Sequence, residues 1–491
     1  MMARQLFLIL FAAPLAATIL STALRHPRVA EYATVTAAII DLVVSVPLVL
    51  QTLQGTIIFW HSYIRIDALG TWVILCISIV YALSSIYAVG YMRLLDEEER
   101  LPLFYALFSG FAFTMLAACV MNNVGVFWIA IELTTLISTF LVGFEREAES
   151  TEAAWKYIVV VSGGITLALL GTVLFYWGGS FVLGPRYAMT WAALHTSAPH
   201  VYQPLLLISF LLVLVGYGTK AGLAPMHTWL PDAHSESPAP VSAMLSGALL
   251  NASMLGIARF LGVVSGASVN RFAHTAMVVF GIFSFVLAAL FIVRQTGVKR
   301  LMAYSSVEHI GVQALGLGFG GVLGVAGTFY HMLNHSMNKS LMFFGAGNAM
   351  RAYGTKEISG IRHVLKTFPV SGTLWLVGAV GIAGAPPFAL FLSEFTILRA
   401  GIAGPYRWAA MLFVVFLIVV FIGFLAHFRA MYFDEIPDQQ APQVRRLPWI
   451  VWRTLPMWLA FLPILVLGLW WPHGLWDVFL KISLQMTGGG Q

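Results

Sequence analysis

A chain of 491 residues with 59% hydrophobic and only 10% charged residues lies outside the soluble range, where roughly 25% are charged. Its net charge of +6 comes from an uneven spread of Arg and Lys along the chain, so no nucleic-acid partner is implied. Cys76 and Cys119 stand singly in apolar segments, which excludes a disulfide framework and any iron–sulfur or zinc spacing.

Taken in chain order, apolar runs of about 20 residues recur from one end to the other. They lie near 5–24, 30–52, 67–91, 102–120, 122–143, 153–177, 204–224, 238–263, 272–293, 300–320, 322–350, 369–398, 408–433 and 449–471. Each can cross a ~30 Å hydrocarbon layer, and only a helix satisfies its backbone there. The alternation of membrane β-strands is absent. The predicted fold is therefore all-α: a polytopic membrane protein of about 14 transmembrane helices. The first run follows Arg4 like a leader but has no convincing cleavage site, so it counts as a span. Basic residues such as Arg93, Arg100, Arg146, Arg300, Arg351 and Lys356 gather in the odd-numbered connections, while Arg65, Arg186 and Arg271 are among the few elsewhere. The positive-inside rule then puts the odd connections in the cytoplasm and both termini outside, in a bacterial plasma (inner) membrane. The longest connection, near 178–203, is too short for an extramembrane catalytic domain. With neither a phosphate-binding glycine loop nor a dinucleotide fingerprint, no cofactor is expected.

Ionisable residues far from any span end carry the information, because each costs about 2.5–3.5 kcal/mol to insert and such residues mark ion routes. In order they are Asp41, Glu132, Lys220, Glu308 with His309, Lys339 and Glu394. Glu132 shares its helix with hydroxyls at Thr134, Thr135, Ser138 and Thr139. Lys220 immediately precedes an interruption at Pro225, and Gly384, Pro386 and Pro387 interrupt the twelfth span before Glu394. Broken helices free backbone groups at membrane depth, a feature of transport sites. His227, Asp232, His234 and Glu236 follow the first break and offer either a proton access point or a surface seam.

The eleventh span, TFYHMLNHSMNKSLMFFGAG, sets His331, His335 and Lys339 at i, i+4 and i+8, flanked by Asn334 and Asn338. This is one polar stripe about 12 Å long. It can be a hydrogen-bond seam between helices, a metal site on His331 and His335, or a proton path. A metal is disfavoured because no carboxylate shares the stripe and Lys339 would repel a cation. The tenth span repeats the pattern with Ser305, His309 and Gln313, and Glu308 is offset by about 100° onto another face. Among the remaining charges, Asp67 reads as a helix-start or interface residue and Arg259 as a snorkelling one. Asp96, Glu97, Glu98 and Glu99 read as a solvated face.

Two breaks five spans apart suggest that spans 4–8 are repeated, inverted, by spans 9–13. This divides the chain into 1–101 (helices 1–3), 102–264 (first repeat), 265–433 (second repeat) and 434–491 (helix 14 and tail). A Glu and a Lys about 7 Å apart at an effective dielectric near 20 interact by about 2.4 kcal/mol, enough to bias where a proton resides. Moving Glu132 away from Lys220 is thus expected to release a proton toward the histidine stripe.

The motifs TKAGLAPMHTWLPDAHSESPAPVSAMLSG, VKRLMAYSSVEHIG and HMLNHSMNKSLMFF resemble the antiporter-like subunits of respiratory complex I, Mrp-type Na⁺/H⁺ antiporters and membrane-bound group 4 [NiFe] hydrogenases. The likeness spans roughly 65–430, and IELTTLISTFLVGF and GAPPFALFLSEF are most similar to the hydrogenase-4 component F branch. It implies that Glu132 and Lys220 pair as an input switch. His309, His331, His335 and Lys339 would form the central axis, with Glu394 as the ionisable group of the twelfth helix. Asn251 stands where several members place a lysine or histidine, and Asn cannot hold a proton. The implied function is a proton-translocating, non-redox membrane subunit working with other membrane subunits and a peripheral soluble partner. The alternative is a partner-dependent cation/proton antiporter, or a proton-conducting subunit that powers inorganic-carbon uptake. H⁺ is the expected ion, with Na⁺ as the other candidate.

Overall fold

The computed structural model describes residues 2–95, 98–434, 444–445, 447 and 450–487; Asp96 and Glu97 of the acidic run lie outside the described residues. Helices α1 (Met2–Leu24) and α2 (Pro27–Thr52) open the chain. A small antiparallel hairpin, β1 (Ile57–Phe59) and β2 (Ile64–Ile66), leads into α3 (Ala68–Tyr91). Then come α4 (Leu101–Val120), α5 (Val124–Val142), α6 (Ala148–Leu183), the short α7 (Trp191–Ser197), α8 (Gln203–Ala221) and α9 (Trp229–Glu236). The next span runs Ala239–Val263 as α10 (Ala239–Met244), a π turn (Leu245–Leu249) and α11 (Leu250–Val263). The chain continues through α12 (Asn270–Ile292), α13 (Val298–Phe319), α14 (Gly321–Tyr353), the single turn α15 (Val364–Thr367), α16 (Pro369–Ile382) and α17 (Ala389–Ala403). It ends with α18 (Arg407–Phe433), α19 (Ile450–Leu469) and α20 (His473–Met486).

Local signals set these boundaries. Asp67 caps α3 by accepting from the Gly70 amide at 2.8 Å, and Asn123 caps α5 by accepting from the Gly125 and Val126 amides. Proline occupies the first turn of α2, α4, α8, α10 and α16, where its missing N–H leaves no gap in the ladder. Among the described residues, 11 helical stretches are long and apolar enough to cross a membrane by length and composition. The count of about 14 rests on three more that this measure does not reach. They are α13 and α14, whose polar stripes lower their hydropathy, and the broken pair α16–α17. Helix α6 is longer than expected, 36 residues against a predicted 153–177. The hairpin, α7, the π turn and α20 were not foreseen; each is short or lacks an uninterrupted apolar run.

Burial locates the core. The apolar window of Ala239–Val263 is 100% buried, whereas that of Met2–Leu24 is 28% buried. Helix α14 runs through the middle, packed against α3, α13, α16, α17, α19 and α20. Trp72 and Tyr87 of α3 donate to the Phe329 and Phe344 carbonyls of α14 at 2.8 and 3.1 Å, bolting the two together.

Most of the basic connections meet on one face, hereafter the basic face. There Arg351 grips both oxygens of Glu145 at 2.9 Å, and Lys356 reaches Glu236 at 2.7 Å and Glu147 at 3.3 Å. Burial works against the Lys356 ammonium, but its contacts with Glu236 and Glu147 outweigh it and hold the pKa above the ordinary lysine range. On the opposite face Arg259 does not snorkel. It turns inward and forks onto Asp67 at 2.8 and 3.0 Å, while Arg65 approaches the same carboxylate at 2.7 Å. With Asp67 only 1% exposed, Asp67→Ala strands two guanidiniums in a dry site. The expected loss is about 3–5 kcal/mol, read as a lowered unfolding midpoint in detergent. Glu98→Gln, in an exposed turn, is the control and leaves the midpoint unchanged.

Candidate functional site

The first cluster joins α5, α6 and α8. Lys220, in the last turn of α8 and fully buried, donates to Thr135 Oγ1 and to the Tyr157 hydroxyl, each at 2.8 Å. Thr135 in turn donates to Glu132 Oε2 at 3.4 Å, and Ser162 donates to Glu132 Oε1 at 2.6 Å. Glu132 and Lys220 therefore make no direct ion pair; one hydroxyl stands between them. Tyr157 and Ser138 share a further bond of 2.7 Å. The hydroxyls of Thr134 and Thr139, which the sequence set beside these, bond to the backbone of their own helix instead. Tyr157 and Ser162 escaped the sequence reading. Their only signal was two polar groups in an otherwise apolar stretch of α6.

The break after Lys220 begins at Gly222, whose φ of +83° suits glycine. Few backbone groups are left free there, contrary to expectation. The Gly218 carbonyl accepts from the Leu223 amide, the Thr219 carbonyl from the Trp229 indole, and the Ala224 amide donates to Ser284. The break therefore positions Lys220 while its backbone groups stay bonded within the protein.

The second cluster lies where α13, α14 and α17 meet. His309 Nδ1 is 3.1 Å from His331 Nε2, and His331 Nδ1 is 2.9 Å from Ser393 Oγ. Glu394 Oε1 lies 3.9 Å from His309 Nδ1, and Glu308 Oε2 lies 3.5 Å from His309 Nε2. Glu308, set apart by the sequence reading, thus belongs to the cluster. The His335 ring centroid is 5.2 Å from that of His309, and neither ring nitrogen has a hydrogen-bond partner among the described residues. The Glu394 oxygens likewise have none. Lys339 donates to the Met302 carbonyl at 2.9 Å. Asn251 bonds Ser336 at 2.8 Å, and Gln313 reaches Asn251 at 3.5 Å, so the asparagine braces α14 against α11 and α13. Ligand atoms of His309, His331 and Glu394 lie within 4.8 Å of one another. A carboxylate therefore does approach the histidines, from α17 rather than from the stripe itself. Two of those atoms already share a hydrogen bond, and we read the group as acid–base rather than metal chemistry.

The four residues offered as an access point part company, Glu236 pairing with Lys356 at the basic face. Asp232 is partly exposed at the basic face, 3.0 Å from Arg300 and 3.5 Å from Lys156. His227 is buried beside Tyr304, with ring centroids 6.2 Å apart. His234 is wholly buried, with both ring nitrogens unpartnered among the described residues. It lies 6.2 Å from Trp229 and 5.6 Å from Phe343, centroid to centroid, and Trp229 lies 4.8 Å from Tyr157. Phe343 is one turn past Lys339. His234 consequently sits between the two clusters, which no direct hydrogen bond among the described residues connects.

Gly384 (φ +75°) explains how Glu394 fits, because a Cβ there would lie 2.3 Å from Glu394 Oε2. Gly384→Ala should displace the carboxylate and strain a left-handed turn by roughly 1–2 kcal/mol. In the infrared spectrum of this variant the carboxyl band of Glu394 should shift from its position in the parent chain, and Glu394→Gln, which lacks that band, identifies it.

Residues 121–422 match the family described as NADH:quinone oxidoreductase/Mrp antiporter, TM. The hydrogenase-4 component F homolog of Methylacidiphilum infernorum is 34% identical over 431 residues, which is 87% of this chain and 89% of that protein. A Na(+)/H(+) antiporter subunit A1 of Staphylococcus aureus is 28% identical over 451 residues, 86% of this chain but 54% of the antiporter subunit. Among solved structures, a chain of an archaeal membrane-bound sulfane sulfur reductase superposes with a TM-score of 0.88 at 22% identity, covering 98% of this chain and 97% of that one. A chain of the Mrp complex from Dietzia sp. DQ12-45-1b gives 0.87 at 19%, covering 99% and 97%. At such identities the structural likeness speaks to fold alone.

Proposed function

Since the chain belongs to the NADH:quinone oxidoreductase/Mrp antiporter transmembrane family, we propose that it is the proton-translocating subunit of a multisubunit energy-converting membrane complex of hydrogenase-4 or complex I type. It is an integral, multi-pass membrane protein. We read the bundle as 14 spans in which 102–264 and 265–433 are inverted five-helix repeats. Both termini face outward from a bacterial inner membrane. Left-handed Gly222 and Gly384, one at each interruption, support the pairing of the repeats.

The observation that carries this reading is the bonded series Lys220, Thr135, Glu132, in which the lysine and threonine are fully buried and the glutamate is half-buried. A proton leaving the Lys220 ammonium passes to Thr135 as the threonine proton passes to Glu132, so charge moves without either side chain travelling far. In the other direction, His234 offers two unpartnered nitrogens between Lys220 and Lys339. Beyond Lys339, His335, His309 and His331 pass the proton toward Ser393, Glu308 and Glu394 by exchanging ring tautomers. The driving step comes from partner subunits, membrane-embedded and peripheral, that displace Glu132.

The test is to purify the chain with its native partners, reconstitute the assembly in vesicles and drive the partner reaction. Internal pH should change during turnover, and a silent interior would remove the proposal. A nickel–iron or iron–sulfur subunit among the partners places the assembly with redox-driven pumps. A zinc-containing soluble partner places it with inorganic-carbon uptake. The similarity to a Na(+)/H(+) antiporter subunit favours the cation-exchange reading, which predicts that external Na⁺ sets the rate.

A further inference from the structure

Asp41 lies outside the relay just described and is unexplained by it. It stands mid-way along α2, is fully buried, and has no hydrogen-bond partner for either oxygen among the described residues. It is also not isolated. On α2 the polar residues Glu31, Thr34, Asp41, Ser45 and Thr52 recur at intervals of three, seven, four and seven, which puts them on one stripe. On α3, antiparallel to α2, Thr71, Ser78, Tyr81 and Ser85 form a matching stripe. Thr52 bonds Thr71 at 3.1 Å and fixes the register of the two helices. Stepping equally along both from that pair sets Ser45 across from Ser78, and Asp41 across from Ala82, the residue next to Tyr81.

Two of these groups are linked through α4, since Tyr81 donates to Ser109 at 2.9 Å and Ser109 meets Thr34 at 3.0 Å. The hydroxyls of Ser78, Ser85 and Tyr105 are buried without partners among the described residues. The stripe is closed at the basic face by the Glu31–Arg93 ion pair and at the opposite face by Asp67 with Arg65 and Arg259. The titratable group facing Asp41 is Tyr81 from α3, while Tyr105 from α4 lies toward the basic face beside Glu31 and Arg93. Helix α1 brings none at this depth, because its single charged residue, Arg4, sits at its start over the Phe59 ring. A hydroxyl seam alone would serve helix packing. A carboxyl group in its middle with nothing to bond is costly in that role, and intramembrane acids of this kind mark proton routes.

We propose that Asp41 is a second proton-binding site, exchanging protons with the membrane faces along the α2–α3–α4 hydroxyl seam, in parallel with the Lys220–Glu394 relay. A proton bound to one Asp41 oxygen leaves along the seam as another arrives, so no bond between heavy atoms changes. The ion pairs at both ends make the exchange slow.

The experiment uses the chain with its co-purified subunits. Infrared difference spectra between two bulk pH values, in H₂O and D₂O, should contain a carboxyl C=O band. Asp41→Asn should remove that band, whereas Lys220→Ala and Glu394→Gln should keep it. In vesicles, Lys220→Ala should retain a slow, potential-driven proton uptake. Adding Asp41→Asn should reduce that uptake about 100-fold, the low end of what loss of a positioned acid–base group costs. Tyr81→Phe breaks the link to Ser109 without touching the carboxyl, and should slow the uptake while leaving the band in place. A band indifferent to bulk pH would make Asp41 a sealed structural acid. Uptake unchanged by Asp41→Asn would overturn the route, and a band lost with Lys220→Ala would fold Asp41 into the main relay. None of these results depends on partner-driven pumping, so the two proposals fail separately.

Discussion

Lys220→Ala should stop partner-driven proton movement while leaving the bundle assembled. The substitution removes the donor to Thr135 and Tyr157, and Tyr157 keeps its bond to Ser138. Two hydroxyls losing one partner each cost about 1–3 kcal/mol apiece, which a bundle of this size tolerates. Transport loses its carrier, and a fall of about 100-fold or more is expected. Lys220→Arg separates the explanations. Arginine keeps the positive charge and donors but does not give up its proton. If Lys220 only holds charge or braces α8, the arginine variant should pump. If it carries a proton, arginine should be as silent as alanine. Proton uptake in reconstituted vesicles, beside size-exclusion profiles of both variants, reads the two results together, and wild-type pumping by either would sink the relay.

Glu394→Gln carries the next largest effect, at the other end of the route. The change keeps volume and shape in the pocket that Gly384 leaves open, so the fold should be untouched. A Glu394 oxygen lies within 4.8 Å of ring nitrogens of both His309 and His331, and its oxygens are free to take up a proton. An amide cannot do so, and pumping should again drop about 100-fold. The Lys220 side should still load. A single-turnover proton burst that survives in Glu394→Gln but not in Lys220→Ala would order the two steps. Equal bursts in both would argue against a directional relay.

What the sequence could reveal follows from the physics of the bilayer. Ionisable residues at membrane depth are rare enough to be found by eye, and Lys220, His309, His331, His335, Lys339 and Glu394 all prove buried in the interior. Their neighbours were less legible. Tyr157, Ser162, Ser393 and Trp229 are ordinary residues in apolar helices, and only packing between helices reveals their roles. The place of Glu308 beside His309 is not legible in the sequence, because a 100° offset on one helix says nothing about which neighbour that face meets. His234 follows a break, a position that reads equally as an access point or a surface seam, yet α9 turns it inward beside Trp229 and Phe343. Arg259 was expected to reach for water, but a buried carboxylate was closer.

The π turn at Leu245–Leu249 has a consequence for comparing this chain with its relatives. It adds one residue to the helix, so every position beyond it is out of phase by about 100° with a regular helix of the same length. An alignment that runs ungapped through this segment, against a relative whose helix is regular, would match Asn251 to a residue facing a different neighbour. Counting through the extra residue decides whether Asn251 replaces a basic group or merely adjoins its place.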